Sequence, residues 1–327
     1  MTDALLEVRG LRVRFNEQVE AVRGISLTVN RGETHCVVGE SGCGKTVTAL
    51  AVMGLLARGG ICEAERLEFR GTDLRGLNER DMSKLRGDAL GMIFQEPMTS
   101  LNPAYTVGSQ MAEVLRRHRN TGRRAALDRA AELLGRVGIT APGMRLAQYP
   151  HQLSGGLRQR VMIAMTLMCD PDLLIADEPT TALDVTVQAQ ILRLLLELQR
   201  ELGLAILLIT HDLGVVARMA HRVSVMYAGQ VVESASASDL FAAPTHPYTR
   251  GLLDCVPVPG KMRRDQPLGS IPGTVPRIAM GYSGCAFRDR CSHAMPECAG
   301  EIPDRERIPG HRYLCRLPAD WAKDVAA

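Results

Sequence analysis

The stretch Gly39-Glu40-Ser41-Gly42-Cys43-Gly44-Lys45-Thr46 constrains this chain more than any other. It follows the apolar run Thr34-His35-Cys36-Val37-Val38 and opens a helix-like run over 47–56, so it reads as strand, tight loop, helix. The pattern G-x-x-x-x-G-K-[ST] holds phosphate only in that setting. Its glycines let successive backbone N–H groups turn inward, and the following helix adds its positive end. Lys45 is then placed to reach the β- and γ-phosphates, and Thr46 to ligate Mg²⁺. Cys43 stands at a free position of the pattern and reads as a small loop residue.

A chain of 327 residues with 46% hydrophobic residues has enough material for one large domain and an appendage. A net charge of +3, from 39 basic and 36 acidic residues, argues against a dedicated nucleic-acid binder. The start Met1-Thr2-Asp3-Ala4 lacks the basic region of a secretory leader, so the expectation is a chain that stays in the cytosol. Its most apolar stretches, 161–169 and 202–210, are far shorter than the ~20 residues of a spanning helix. Any membrane role is expected to be peripheral.

Residues 5–15 and 22–29 alternate as strands, and the first ends at Phe15, which reads equally as a ring stacked on a nucleotide base or as a sheet-face aromatic. Strands are also expected at 67–69 and 89–94, with a polar helix over 78–86 between them. The second of these runs into Gln95-Glu96-Pro97-Met98-Thr99-Ser100-Leu101-Asn102-Pro103, where proline and asparagine force a loop. A polar side chain at the C-terminal end of a strand faces ligands in open α/β sheets, which makes Gln95 a candidate for sensing a metal or a water. Residues 107–137 are helical in period, and Arg116, Arg117, Arg119, Arg123 and Arg124 read as a solvated face, with anionic headgroups the less favoured reading.

Leu153-Ser154-Gly155-Gly156-Leu157-Arg158-Gln159 precedes an apolar helical run, so a second helix start is ready for an anion. Pro171-Asp172-Leu173-Leu174-Ile175-Ala176-Asp177-Glu178 is an apolar strand ended by two acids. Asp177 suits the Mg²⁺ side of a phosphate-loop enzyme, and Glu178 suits a base that polarises water. Thr181-Ala182-Leu183-Asp184 caps a helix-like run over 187–202. The strand after it, 204–210, delivers His211 to a C-terminal strand end, as a γ-phosphate contact. Strands at 222–228 and 231–233 follow, and then a proline- and glycine-rich tail, irregular except for a short helix near 248–254.

Taken together, these motifs resemble the ATP-binding cassette (ABC) family of transporter ATPases. Residues 39–46 are similar to its Walker A, Gln95 to its Q-loop, 153–159 to its LSGGxxQ signature, 173–178 to its Walker B, 181–184 to its D-loop and His211 to its switch histidine. The motif from Phe94 to Pro103, Tyr149-Pro150-His151-Gln152 and His246-Pro247-Tyr248-Thr249-Arg250 resemble the oligopeptide/dipeptide importer branch, as do Ile271-Pro272-Gly273 and Gly284-Cys285 in the tail. The resemblance implies an α/β fold: a P-loop NTPase domain over 1–243, with a RecA-like core, an antiparallel β subdomain and an α-helical subdomain at about 96–165. An irregular Cys-rich extension over 244–327 would follow.

By the same resemblance, ATP and Mg²⁺ are bound between two ATPase subunits paired head-to-tail, this chain and a paralogue. Phe15 stacks adenine; Gly39, Glu40, Ser41, Gly42, Cys43, Gly44 and Lys45 cradle phosphates; Thr46, Gln95 and Asp177 hold Mg²⁺; and Glu178 positions water while His211 steadies the γ-phosphate. Ser154, Gly155, Gly156 and Gln159 serve the other subunit's nucleotide. Two transmembrane permeases and an extracytoplasmic solute-binding protein are the implied partners, with no nucleic acid, and the implied place is the cytoplasmic face of the inner membrane. The implied work is ATP-driven import of peptides or related solutes. A soluble cassette ATPase acting on DNA or ribosomes is the alternative, and it usually carries fused cassettes or long coiled-coil insertions not found here.

Of the nine cysteines, Cys285, Cys291, Cys298 and Cys315 crowd into the tail, near His293 and His311. In a reducing compartment such a cluster suggests metal before disulfide. Four thiolates suit a [4Fe–4S] cluster or tetrahedral Zn²⁺. The tail resembles importer extensions that carry an iron–sulfur cluster, so the expectation ranks iron–sulfur first, zinc second and free thiols third.

Overall fold

The computed structural model describes residues 4–16, 19–95, 100–181, 183–256, 269–276, 278–279 and 281–321. Glu96 to Thr99 after Gln95, Ala182 of the motif before Asp184, and Pro257, Pro259 and Pro267 of the tail lie outside them. The chain forms two compact units, one of residues 1–5, 29–33 and 76–208, the other of 6–28, 34–75 and 209–327.

In the first unit, Leu90–Ile93 pairs in parallel with Leu173–Asp177, and Ala205–Thr210 flanks the latter on its other side. Leu173, Leu174, Ile175 and Ala176 are each fully buried, which is what a strand covered on both faces requires and why the segment reads as an unbroken apolar run. The helix Val185–Leu202 shows both of its ends in its sequence. Asp184 caps it by accepting from Val187 N–H at 2.9 Å, and Gly203 ends it in the left-handed region at φ 61°. The helical period over 107–137 resolves into Val107–Arg119 and Arg123–Arg136, split by Asn120 at φ 49°. Ala126, Ala130, Leu133 and Leu134 form the inward stripe of the second helix. Arg116, Arg117, Arg119, Arg123 and Arg124 are all exposed, in keeping with a solvated face.

The second unit contains two sheets. One is antiparallel, in the order Val19–Asn30, Ala4–Phe15, Arg66–Phe69, Thr72–Asp73, with Gly60–Glu63 also paired to Ala4–Phe15. The other runs Asp304–Ile308, His311–Leu314, Gln230–Ser236, Arg222–Tyr227, Thr34–Val38, its last pair parallel. Thr34–Val38 is buried throughout, and its one ionisable ring is satisfied: His35 Nδ1 lies 2.8 Å from Thr28 O and Nε2 lies 2.9 Å from Ser224 Oγ. No helix among the described residues is long and apolar enough to cross a membrane.

The tail departs from the irregular extension expected of it. A hairpin, Asp304–Ile308 with His311–Leu314, adds to the edge of Gln230–Ser236 through Glu233↔Tyr313 and Ser234↔Arg312. Its charged strands, DRERI and HRYL, carry no apolar run to announce them, and their backbone pairing does the ordering. Under this edge sits a buried polar group. Glu233 accepts from Thr245 N–H at 2.7 Å and His246 N–H at 2.8 Å, with His311 Nε2 2.7 Å from its Oε1. Burial opposes the Glu233 carboxylate, but these bonds outweigh it and hold its pKa below the ordinary range.

His246, 1% exposed, caps the helix Pro247–Asp254 by accepting Tyr248 N–H on Nδ1 at 3.0 Å. That bond needs an unprotonated Nδ1, and burial pushes the imidazole pKa from 6.5 down to about 4. Between those two values the unfolded chain binds a proton that the folded chain refuses, so stability falls as pH is lowered through that window. The cost is on the order of 3 kcal/mol once pH reaches the lower value. Melting followed by circular dichroism between pH 7 and 4 is expected to show this fall. His246→Asn, which keeps a capping acceptor without a titrating ring, is expected to flatten it; an unaltered slope in that variant contradicts the assignment.

Candidate nucleotide and water-activating sites

In the second unit the phosphate loop lies between the strand Thr34–Val38 and the helix Lys45–Val52. Two of its glycines are required by space as well as by torsion. A Cβ at Gly39 would come within 2.1 Å of Met226 O, and one at Gly44, at φ 104°, within 2.5 Å of Ala21 O. Both neighbours are backbone atoms of packed strands, so no side chain can be accommodated. Ser41 and Gly42 are exposed on the open side of the loop. Lys45 is 5% exposed, and its Nζ donates to Gly39 O at 2.8 Å and Glu40 O at 2.9 Å. The ammonium is thus held at the centre of a ring of loop atoms, where an anion with several oxygens can replace the carbonyls it now touches. Cys43 is buried, its thiol raised in pKa chiefly by that burial, as a small packing residue and not as a nucleophile.

Phe15 is half-buried at the end of its strand, in register with Gly60, and its ring stands where a Cβ at Gly60 would be, 2.9 Å away. His211 is exposed, immediately after Ala205–Thr210 and before the helix Leu213–Met219, whose N-terminus Asp212 caps by accepting from Gly214 N–H at 2.7 Å.

The first unit holds the acids. Asp177 is 2% exposed at the last position of Leu173–Asp177. Glu178, next in the chain, takes φ 45°, a left-handed conformation that costs a non-glycine residue on the order of 1 kcal/mol. The turn aims its carboxylate at two donors: Gln95 Nε2 at 3.2 Å and Thr181 Oγ1 at 2.8 Å, both on Oε2. The structure therefore brings together three residues that the sequence had offered separately, Gln95 from one strand end, Glu178 from the neighbouring strand, and Thr181 from the following turn.

Ser154 caps the helix Gly155–Thr166 by accepting from Leu157 N–H at 3.4 Å. A Cβ at Gly156 would meet Val187 at 2.9 Å, so this glycine lets two helices approach closely. Gln159 is buried, and its Nε2 donates to Pro179 O at 2.6 Å, which ties the helix to the turn beyond Glu178.

Two contacts to the phosphate loop escaped the sequence reading. Glu40 N–H donates to the Tyr248 hydroxyl at 3.0 Å, and the Glu40 carboxylate is gripped by Arg290. Separations of 208 and 250 residues leave no local signal for either pair.

The four tail cysteines carry free thiols. Cys285 N–H donates to Cys298 O at 2.8 Å, and burial, aided by the neighbouring thiols, pushes Cys315 up to about 11. Yet among the described residues no group of three or more His, Cys, Asp or Glu side chains is arranged to hold a metal ion. Nor do the nearby histidines help: His293 lies against the Trp321 ring at 4.5 Å, and His311 is committed to Glu233. As placed, these thiols do not form the iron–sulfur or zinc centre expected from their clustering and the resemblance.

Comparison with known proteins bears on the whole chain. Residues 22–181 match the family model described as ABC transporter, and 232–298 match the one described as oligopeptide/dipeptide transporter, C-terminal region. The chain is 49% identical over 324 residues to the dipeptide transport ATP-binding protein DppD of Escherichia coli (strain K12), covering 98% of each. Against the protein of the same name from Bacillus subtilis (strain 168) it is 47% identical over 333 residues, covering 99% of this chain and 96% of that one. Among solved structures, the dimeric bacterial ABC transporter cassette MJ0796 superposes with a TM-score of 0.63 at 26% identity, over 71% of this chain and 98% of that one. With this extent of identity beside the phosphate loop and the Gln95–Glu178–Thr181 group, the chain belongs to the ATP-binding subunits of ABC transporters, in the oligopeptide/dipeptide branch.

Proposed function

We propose that this chain is the ATP-hydrolysing subunit that powers import of peptides or related solutes through an ABC transporter. The observation that carries the reading is Glu178 turned by a strained backbone onto Gln95 and Thr181 at the end of a buried strand. A carboxylate oriented there by donors, directly after the buried Asp177, is the arrangement a general base that positions water needs. Lys45 and the loop amides take the phosphates, and Phe15 takes the base. Thr46, Gln95 and Asp177 are the residues that would hold Mg²⁺, which neutralises phosphate charge when bound. His211 contacts the γ-phosphate. Ser154, Gly155, Gly156 and Gln159 complete the nucleotide site of a paralogous ATPase subunit paired head-to-tail.

In this reading residues 1–243 form the ATPase domain, with its helical subdomain at about 96–165, and 244–327 the extension. The subunit sits peripherally on the cytoplasmic face of the membrane, under two permeases served by a solute-binding protein. The kinship of the chain supports these partners, and it gives the soluble DNA- or ribosome-directed alternative no support. A finer part of the reading, a [4Fe–4S] cluster or zinc on Cys285, Cys291, Cys298 and Cys315, rests on the thiol set and the resemblance; no step of ATP hydrolysis runs through it.

Two measurements test the proposal. In the assembled complex, Glu178→Gln is expected to lower ATP turnover by about 10²–10⁴-fold while ATP binding is kept; unchanged turnover removes Glu178 from the role. For the tail, anaerobically purified protein is expected to contain iron and acid-labile sulfide with a visible absorption band. Colourless protein loaded with zinc reverses the ranking of metals, and metal-free protein eliminates the centre.

A further inference from the structure

Within its own unit the phosphate loop is braced by the C-terminal tail. Arg290 directs a fork at the carboxylate of Glu40, with Nη1 2.9 Å from Oε1 and Nη2 3.1 Å from Oε2. The guanidinium is itself immobilised. Its Nε donates to Pro272 O at 2.7 Å, its Nη2 to Ile271 O at 3.1 Å, and its plane lies over the rings of Tyr227 and Phe287 at 5.8 and 5.9 Å. With a side chain only 6% exposed, it spends its donors on one carboxylate, on tail carbonyls and, at 3.4 Å, on the Tyr227 hydroxyl, a pattern the planar fork of arginine suits and a lysine ammonium cannot copy.

Glu40 is the residue after the first loop glycine, and it is held at three points. Its N–H donates to Tyr248 Oη at 3.0 Å, its carbonyl accepts from Lys45 Nζ at 2.9 Å, and its carboxylate receives the Arg290 fork. The same tail closes the space beside the loop. Val275, Pro276 and Ile278, with Val19, Ser41 and Gly42, line a cavity of about 360 Å³, and Glu20 N–H donates to Ile278 O at 3.4 Å.

We infer that Arg290 is a positioning residue of the nucleotide site, through which the tail presets the phosphate loop for ATP. The inference rests on the reading that the loop binds ATP. Converging amides bind a triphosphate tightly only if their directions are already set, because a loop that must order on binding loses that conformational freedom at the ligand's expense. Arg290 also neutralises the Glu40 carboxylate, which would otherwise stand uncompensated beside an anionic ligand. Both effects act equally on bound substrate and on the transition state, so losing them raises KM and leaves kcat alone.

The test is steady-state ATPase activity of the assembled importer, against Mg-ATP concentration, with wild type, Arg290→Gln and Arg290→Lys full-length chains, and melting temperatures taken in parallel. Arg290→Gln is expected to raise KM roughly tenfold with kcat within about twofold, and Arg290→Lys, which keeps the charge and loses the fork, to lie between it and wild type. A wild-type KM in Arg290→Gln overturns the inference, and so does a lowered melting temperature with KM unchanged, since the pair would then only fasten the tail. Should Arg290→Gln fail to assemble, Arg290→Lys decides by the same split: KM raised severalfold at constant kcat supports the role, and a wild-type KM overturns it. A wild-type complex without ATP turnover defeats the ATP reading itself, and this inference with it, an outcome distinct from a failure confined to the Arg290 variants.

Discussion

Backbone crowding around one loop governs what the second unit can be. Gly39 lies so close to Met226 O, and Gly44 to Ala21 O, that a single Cβ at either place would push apart the strands on which the loop sits. With side chains excluded, the chain can bend tightly enough for Lys45 to fold back onto the carbonyls of Gly39 and Glu40. A buried ammonium that donates to neutral carbonyls, as Lys45 does to Gly39 O and Glu40 O, is satisfied better by an anion bearing several oxygens. The shape of the loop therefore follows from packing as much as from the residue types of the motif.

Strain and satisfaction are distributed in the same way around Glu178. A left-handed φ at a non-glycine residue persists only where surroundings over-determine it, and here Gln95, Thr181 and the bond from Gln159 to Pro179 O do so. Burial is tolerated elsewhere for the same reason. Glu233 survives under the tail hairpin because two backbone amides and His311 supply it with donors, and without them a buried carboxylate would be expelled or protonated. The tail, poor in apolar runs, is thereby fastened to the Gln230–Ser236 edge by polar contacts and strand pairing, and Trp321 adds a 2.6 Å bond to Thr245 O.

The tail also shows how far residue type serves as a guide. Four cysteines crowded into one tail are chemically suited to metal, and burial raises the thiols of Cys285, Cys291 and Cys315 above their ordinary range. Donor geometry, however, depends on where loops place sulfur atoms in three dimensions, and among the described residues no donor set of that kind is formed.

Local order was legible in the sequence wherever the cause was local. The loop 39–46, the cap at Asp184, the stop at Gly203 and the buried strand Leu173–Asp177 each follow from neighbours within a few positions, because torsional freedom, capping and burial periodicity act over a turn of helix or a strand. Six ordered motifs likewise carried the family resemblance that implies the candidate phosphate, metal and water ligands. The docking of the hairpin 304–314 on Gln230–Ser236, the Glu233–His311 contact, and the grip of Tyr248 and Arg290 on Glu40 left no such trace. These depend on which distant segments the folded backbone returns to the same place, and hydrogen bonds between residues 78 to 250 positions apart are set by tertiary packing, which no short-range pattern encodes.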